Sequence, residues 1–230
     1  MNAKLIQKIS RRFGQRRFSR TSWSQEAEDL ILERYFGARP AGFYVDVGAH
    51  HPFRFSNTAL FHAKGWRGLN IDALPGCMKE FNRHRPHDIN LQLGVAAEEG
   101  MLTYYKYDEP ALNGFVRNEE MLTPNAAGRS YKLIGSEQTR VAPLQKILNE
   151  YLPDSQEIQL LTIDVEGLDF EVLKSNDWIK FRPEAVVVET DCQTLESLLD
   201  DDCYLFLREQ GYRLYARTGK SAIFVSDRSA

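Results

Sequence analysis

Residues 42–52 read GFYVDVGAHHP, a short apolar run that contains an acid near its end and continues into a glycine. The five residues 43–47 have the length and the aromatic and β-branched content of a buried strand. Gly48 follows at once, and a glycine there lets the backbone approach a ligand. Asp46 can accept hydrogen bonds or balance a cationic ligand. The stretch predicts the first strand of an α/β fold, with a ligand at its carboxyl end.

Strand-like and helix-like segments alternate along the rest of the chain. Strands are predicted at 68–71, 89–96, 103–107, 158–163 and 185–188, a closing hairpin at 212–225, and helices at 25–36, 56–64, 75–82, 144–151, 168–173 and 195–210. Alternation of this kind favours right-handed crossovers between parallel strands. It therefore predicts a doubly wound, mostly parallel sheet with helices on both faces, and the hairpin adds an antiparallel strand.

Residues 22–230 are predicted to form one domain behind a basic tail at 1–21. The 230 residues are 43% hydrophobic and 27% charged, which is typical of a globular domain and excludes disordered and collagen-like classes. Residues 108–136 break the rhythm with prolines and glycines, and this predicts a lid or binding loop. No apolar run approaches the roughly 18 to 20 residues needed to cross a bilayer.

The charge of the chain is unevenly distributed. Residues 1–20 hold seven basic residues and no acid, whereas the remaining 210 hold 22 basic and 32 acidic residues. The tail is interpreted either as a frayed, solvated terminus or as a basic amphipathic helix that binds an anionic membrane face or a protein partner. The three cysteines form no C-x-x-C pair, which favours a reducing compartment. We expect a cytoplasmic protein, with contact at the inner membrane face as the alternative, and no nucleic-acid partner.

Four carboxylates lie at or near the ends of strand-like segments: Asp46, Asp72, Asp164 and Glu189. The carboxyl ends of parallel strands meet at one edge of an open sheet, where ligands bind. Asp72 lies 26 residues beyond Asp46, close to the roughly 20-residue spacing at which an acid after the second strand holds a ribose. This spacing fits a nicotinamide dinucleotide and S-adenosylmethionine alike.

The loop after Gly48 distinguishes between these two cofactors. A dinucleotide fold uses G-x-G-x-x-G to seat a pyrophosphate, whereas Ala49-His50-His51-Pro52 follows here. An acid before the glycine repels phosphate but suits the sulfonium and ammonium groups of S-adenosylmethionine. The loop favours S-adenosylmethionine, and a nicotinamide-dependent oxidoreductase is kept as the alternative.

Many ordered motifs across about residues 22–226 resemble those of the FkbM-type methyltransferases. They are residues 24–29, SQEAED; 42–52, GFYVDVGAHHP; 56–58, SNT; 65–68, GWRG; 70–72, NID; 85–89, RPHDI; and 163–167, IDVEG. The resemblance implies a class I S-adenosylmethionine-dependent methyltransferase with a seven-stranded sheet whose last strand is antiparallel. Members of that family mostly methylate hydroxyl oxygens of sugars or natural products. This chain has His50 where many members carry Asn, and Asp72-Ala73 where Glu-Pro is common.

The cofactor site is assigned from the strand ends and from the resemblance together. Gly94 and Val95 are placed by topology alone, after the third core strand and beside the adenine. The resemblance implies further contacts in the motifs around Gly48, Ser56 and Asp72. The predicted cofactor-binding residues are Asp46, Gly48, Ala49, Asn57, Asp72, Ala73, Gly94 and Val95.

The methyl acceptor is expected beside Asp164. A hydroxyl loses its proton as it attacks the methyl carbon, so a base or a metal near the oxygen is useful. Asp164, His50 and His51 are the catalytic candidates, and Asn113 and Glu166 are expected to contact the acceptor. Asp164, Glu189 and Asp191 are candidate ligands for a divalent cation such as magnesium. The alternatives are that Glu166 stabilises a helix N-terminus, that Glu189 is merely solvated and that His50 caps a helix.

The sequence therefore predicts an S-adenosylmethionine-dependent O-methyltransferase that acts on a hydroxyl of a saccharide or glycan-related metabolite. A second alternative, beside the oxidoreductase, is a non-catalytic nucleotide-fold module that binds a polysaccharide-assembly partner through its basic tail.

Overall fold

A computed structural model describes residues 19–119, 122–124 and 128–227. The strands are β1 Phe43–Val47, β2 Arg67–Asp72, β3 Ile89–Gln92, β4 Gly94–Val95, β5 Gly100–Tyr107, β6 Leu133–Ala142, β7 Leu160–Ile163, β8 Ala185–Glu189, β9 Tyr212–Arg217 and β10 Ser221–Ser226. The α-helices are α1 Glu28–Phe36, α2 Ala59–Ala63, α3 Met78–His84, α4 Leu144–Tyr151, α5 Asp169–Lys174, α6 Leu195–Leu198 and α7 Asp202–Glu209.

Seven strands form the central sheet in the order β3-β2-β1-β7-β8-β10-β9. The pairs from β3 through β8 are parallel, and β10 runs antiparallel to both β8 and β9. The predicted fold class, a mostly parallel seven-stranded sheet whose last strand is antiparallel, is confirmed. Because β1 pairs with both β2 and β7, the strand order reverses between β1 and β7, and such a switch point is where an open α/β sheet forms its ligand crevice.

Both faces of the sheet are covered by helices. Val45 and Val47 of β1 belong to one apolar cluster, which includes residues of α4, α5 and α7. Tyr44 belongs to a second cluster on the opposite face, with residues of α1 and α2. This division follows from strand geometry, because successive side chains point to opposite faces. Burial on both faces explains why the central strands are apolar runs rather than alternating ones.

A small second sheet in the order β4-β6-β5 was not predicted. The strand expected at 89–96 is divided, because β3 pairs with β2 in the central sheet and β4 pairs with β6 in the small one. The segment 133–142, partly within the stretch predicted as irregular, is the long strand β6. Its residues 133–138 alternate between half-buried and exposed, so one side faces water and the sequence lacks an apolar run.

Four predicted helices differ in detail from the observed ones. The helices expected at 56–64 and 75–82 are observed at Ala59–Ala63 and Met78–His84. The helix expected at 195–210 consists of α6 and α7, because the Asp201 side chain accepts the Tyr204 N–H and starts a new helix. The first helix begins at Glu28 rather than at residue 25. Ser22 and Ser24 donate to the Asp29 carboxylate, and Ser24 Oγ accepts the Asp29 N–H. Ala27, with φ 69°, turns the backbone into the helix.

Residues 1–18 lie outside the described part of the chain. The interpretations of the basic tail, including its membrane or protein partner, therefore stay predictions. Among the described residues, no helix has the length and apolar character required to cross a membrane.

Candidate active site

A cavity of about 460 Å³ lies at the carboxyl ends of β1, β2 and β7, and we call it the first cavity. Its volume is within the roughly 300 to 1,000 Å³ typical of small-molecule sites. The predicted site residues that line it are Gly48, His50, Asp72, Ala73, Gly94, Val95, Asn113, Asp164 and Glu166. The sequence thus predicted correctly which sheet edge carries the cavity.

Asp72 is positioned by the loop that follows β1. Its Oδ2 accepts the His50 N–H at 2.8 Å, and its Oδ1 accepts the Leu74 N–H at 2.8 Å. Burial raises the pKa of Asp72, and these two hydrogen bonds oppose the shift. A carboxylate offers about four acceptor positions, so Asp72 can still accept two ribose hydroxyls. Val95 lines the same cavity as Asp72 and adds an apolar wall that suits the ring of a nucleobase.

Gly48 allows the ends of β1 and β7 to approach each other. Its φ is 80°, and a Cβ at this position would lie 1.7 Å from the Asp164 carbonyl oxygen. The Gly48 and Ala49 N–H groups both donate to the Ile71 carbonyl oxygen, at 2.9 and 3.0 Å. Gly48 is therefore required by the contact with Asp164 as well as by its place in the cavity wall.

Three predicted cofactor residues, Asp46, Ala49 and Asn57, line neither of the cavities described here, and their contact with a cofactor stays a prediction. Asp46 precedes Val47 in β1 and so points to the opposite face, where it accepts from Thr58 Oγ1 at 2.6 Å. The Asn57 amide donates to Thr162 Oγ1 at 2.9 Å, and Ala49 packs with an apolar cluster under the loop. All three hold the loop rather than face the cavity.

Arg85 is a buried residue whose structural role the sequence reasoning missed. It is 1% exposed and donates to the Pro52 carbonyl and to the hydroxyls of Ser56 and Thr58. These bonds fix residues 48–58, which we call the cofactor loop, onto the sheet. Burial raises the pKa of Asp46 to about 6, although Thr58 and Arg85 work against the shift. The motif at 85–89 was the only available signal.

Three acids meet at the ends of β7 and β8: Asp164, Glu166 and Glu189, which we call the acidic group. One oxygen of each lies within 4.8 Å of the other two. Asp164 is exposed and lines the first cavity. Desolvation of its carboxylate by the surrounding protein atoms, followed by the charges of Glu189 and Glu166, raises its pKa well above the usual range. The pKa of Glu166 rises to about 8, first because of burial and then because of Glu189. Such a group shares protons or binds a cation.

The acidic group differs from the predicted metal ligands in one residue. Asp191 is exposed and lies outside it, and Glu166 takes its place because the backbone turns back at Glu166, where φ is 54°. Lys220 Nζ donates to Glu189 Oε1 at 3.1 Å and so neutralises part of the charge. The presence of a divalent cation stays a prediction.

A second cavity of about 230 Å³ adjoins the first. Glu189, Asp191 and Asp169 line it, and Leu112, Glu166 and Lys220 line both cavities. Asn113 faces only the first cavity, and its Oδ1 accepts the Tyr107 N–H at 2.7 Å. The shared wall at Glu166 is where ligands in the two cavities would meet.

The two histidines are poorly placed to act as bases. His50 lines the first cavity, but its Nε2 accepts from Arg54 Nη1 at 3.1 Å. Partial burial and the Arg54 charge lower its pKa to about 4. His51 lines neither cavity described here, and its Nδ1 accepts the N–H groups of Phe53 and Arg54. Of the three catalytic candidates, Asp164 is the one with both access and basicity.

The switch-point crevice, the acid that ends β2 and the acidic group at the ends of β7 and β8 are features of a small-molecule site on an open α/β sheet. Residues 46–214 match the family model described as the methyltransferase FkbM domain. The chain belongs to the FkbM methyltransferase family, as its motifs predicted, and it is a methyltransferase. A comparison with curated proteins found no match.

Proposed function

We propose that the protein transfers a methyl group from S-adenosylmethionine to a hydroxyl oxygen of a saccharide or glycan-related metabolite. The observation that carries this proposal is that Asp72 and Asp164 line the same cavity on one sheet edge. When bound, S-adenosylmethionine supplies an electrophilic methyl group on a sulfonium. The chain's own residues hold the donor and the acceptor together, which removes the entropic cost of their encounter.

The loop after β1, which the structure describes in full, offers no pyrophosphate site of the kind that a nicotinamide dinucleotide requires. In the dinucleotide fold, a helix begins in the glycine turn and its N-terminus binds the pyrophosphate. Here β1 ends at Val47 and α2 begins only at Ala59. The N–H groups of Gly48 and Ala49 are already bonded to Ile71. These observations support S-adenosylmethionine over the dinucleotide.

The acidic group supports a hydroxyl acceptor. A carboxylate whose pKa is raised is a stronger base than a solvated one, so Asp164 can take the proton of an attacking hydroxyl. Glu166 and Glu189 offer further acceptors to the neighbouring hydroxyls of a sugar, and the second cavity gives it room. A divalent cation held by the same three oxygens would lower the hydroxyl pKa instead.

Calorimetry with S-adenosylmethionine, S-adenosylhomocysteine and NAD tests the cofactor. We expect the first two to bind and NAD not to bind. Asp72→Ala should weaken the binding of S-adenosylhomocysteine by about 1.5–3 kcal/mol through loss of hydrogen bonds to a charged acceptor. Asp154→Ala, which removes an exposed acid outside both cavities, is the matched control. Equal affinity in Asp72→Ala and wild type would remove the ribose assignment.

The acceptor is tested by measuring S-adenosylhomocysteine release with a panel of monosaccharides, nucleotide sugars and amino sugars. We expect the methylated product to survive alkaline treatment, because a methyl ether is stable to base whereas a methyl ester is hydrolysed. Mass spectrometry locates the methyl group. A product methylated on nitrogen or carbon would contradict the O-methyltransferase proposal while leaving the cofactor result intact.

A further inference from the structure

Lys220 lies where the two cavities meet. It is in the turn between β9 and β10, and its side chain is about half exposed, at 51%. The side chain lines both cavities, and Nζ donates to Glu189 Oε1 at 3.1 Å. An ammonium group has three N–H donors, so Lys220 retains donors for a ligand after its bond to Glu189.

The turn that carries Lys220 is fixed to residues 24–28, which we call the N-terminal segment. The Lys220 N–H donates to Glu26 Oε2 at 2.8 Å, and Thr218 Oγ1 donates to Glu28 Oε1 at 2.8 Å. A Cβ at Gly219 would lie 2.5 Å from Glu26 Oε1, so the glycine lets the Glu26 carboxylate approach the turn closely. Glu28 itself is 2% exposed. The backbone position of Lys220 is therefore set by the N-terminal segment.

The same segment presents Gln25 to the first cavity. Within the described part of the chain, the Gln25 amide makes no hydrogen bond, whereas Glu26 and Glu28 are both engaged. Ala27 has a φ of 69°, and backbone strain of this kind in a residue other than glycine concentrates at functional sites. The segment thus brings one amide donor to the cavity and holds one ammonium beside it.

Sheet order places these two groups at a defined end of the cofactor site. Along the carboxyl edge, Asp72 ends β2, Gly48 follows β1, Asp164 follows β7 and Glu189 ends β8. At about 4.8 Å between strands, Asp72 and Glu189 are separated by roughly 14 Å. A ligand with its ribose at Asp72 therefore extends its amino-acid end over Gly48 toward Asp164 and Lys220.

The amino-acid end of S-adenosylmethionine carries an ammonium and a carboxylate. A site that binds it therefore needs both an anionic and a cationic group. Glu166 lines both cavities and can accept from the ammonium while Asp164 serves the acceptor hydroxyl, because a carboxylate has about four acceptor positions.

Three cationic side chains line the first cavity: Arg54, Arg129 and Lys220. Arg54 already donates to Glu109 at 2.8 Å and to His50, and it lies 4.3 Å from the centre of the Phe55 ring. Arg129 is also engaged with a partner. Lys220 has unused donors, and Gln25 stands beside the same cavity.

We propose that Lys220, assisted by Gln25, binds the carboxylate of the cofactor's amino-acid end. The N-terminal segment and the β9–β10 turn then complete the cofactor site from opposite ends of the chain. This inference rests on the proposed use of S-adenosylmethionine and adds to it the residues that recognise the amino-acid part.

The experiment compares S-adenosylmethionine with its decarboxylated form, which lacks only the carboxylate, by calorimetry on the full chain. Wild type should bind the decarboxylated form roughly tenfold or more weakly, the scale of one lost hydrogen bond between charged groups. Lys220→Ala should bind S-adenosylmethionine more weakly than wild type does, by the same factor. The variant should no longer distinguish S-adenosylmethionine from its decarboxylated form. Lys220→Arg should retain the discrimination. Lys146→Ala, a surface lysine paired with Glu99 outside both cavities, should behave as wild type.

A third probe separates this inference from the cofactor proposal. 5′-Methylthioadenosine has no amino-acid end, and its affinity should be the same in wild type and Lys220→Ala, which also shows that the variant is folded. The assignment would be overturned if Lys220→Ala still bound S-adenosylmethionine more tightly than its decarboxylated form. It would also be overturned if this difference in affinity were lost in Arg54→Ala or Arg129→Ala, the variants of the two arginines that line the first cavity, instead of in Lys220→Ala. Equal affinity of wild type for the two forms would also overturn it. If wild type binds none of the three probes, the cofactor proposal itself fails.

Discussion

Asp164 is the residue on which the proposed acceptor chemistry depends. Its carboxylate is accessible from the first cavity and lies in the acidic group with Glu166 and Glu189. Asp164→Asn keeps the size of the side chain but removes the base, so we expect kcat to fall by about 10²-fold or more. The measurement is turnover of the acceptor found in the panel, at saturating S-adenosylmethionine. Asp200→Asn, at an exposed position outside both cavities, is the control.

Turnover in excess chelator separates the two roles open to Asp164. If the acidic group holds a divalent cation, chelation stops turnover and leaves S-adenosylhomocysteine affinity unchanged. If Asp164 acts directly as the base, the chelator has no effect, and Lys220 is the cation that balances Glu189. Full activity of Asp164→Asn would place the catalytic side of the site elsewhere.

The sequence predicted the cavity residues that are placed there by the end of a strand. It did not predict those whose place depends on the direction of the side chain. Asp72 and Asp164 meet at one edge because each follows a parallel strand of the same sheet. Asp46 does not join them, because the alternation along β1 sends its side chain to the face where Thr58 lies. Lys220 reaches the site only through the β9–β10 turn and its bonds to the N-terminal segment. Contacts between residues so far apart in sequence leave no local pattern.

At the scale of elements, the cofactor loop and the segment after β5 are joined across the first cavity. Arg54 Nη1 of the loop donates to Glu109 Oε1 at 2.8 Å, and Glu109 also accepts the Ala111 N–H at 3.1 Å. Both residues line the cavity. We therefore expect that a ligand bound in this cavity leaves either after the ion pair breaks or by a route around it.

Charge reversal tests whether this ion pair slows cofactor release. The Arg54 and Glu109 side chains are 41% and 33% exposed, and an exposed pair is worth about 0.2–1 kcal/mol. Arg54→Glu or Glu109→Arg alone should therefore raise the dissociation rate of S-adenosylhomocysteine by at least about 1.4- to fivefold, and the double reversal should restore it. Stopped-flow dissociation measures the rate. The same exchange at Arg140 and Glu99, outside both cavities, is the control. No recovery in the double variant would contradict the role of the pair.

The bounds of an element could be predicted best where its residues follow one regular pattern of burial. β1, β8 and α4 lie close to their expected bounds, because a strand buried on both faces is an apolar run and α4 has an apolar stripe at helical spacing. β6 was missed because half of it faces water and its residues 136–139 are polar. The strand at 89–96 was predicted whole because the pattern does not show that β3 and β4 pair in different sheets.

At the scale of the whole molecule, burial of several acids makes the stability of the fold depend on pH. The folded-state pKa rises to about 6 for Asp46, about 7 for Asp169 and about 8 for Glu166, in each case chiefly because of burial. The same carboxyl groups titrate near pH 4 in an unfolded chain. Between these limits the folded protein binds more protons than the unfolded chain, so this stabilisation is full below about pH 4 and is lost as pH rises through the folded pKa values.

We therefore expect the free energy of unfolding to fall as the pH rises from about 5.5 to about 8.5. Urea unfolding at fixed ionic strength, with a chelator present, measures it. Glu166→Gln and Asp169→Asn should each flatten the decline in the upper half of this range, because each removes a group that resists ionisation in the fold. Glu150→Gln, at an exposed position on α4, should leave the slope unchanged.

A bound cation or a cationic ligand in the acidic group would also flatten the decline, so repeating the series with S-adenosylmethionine connects stability to the site. Stability that rises over this range in the chelated wild type would mean that the acidic group is ionised and solvated in the folded protein.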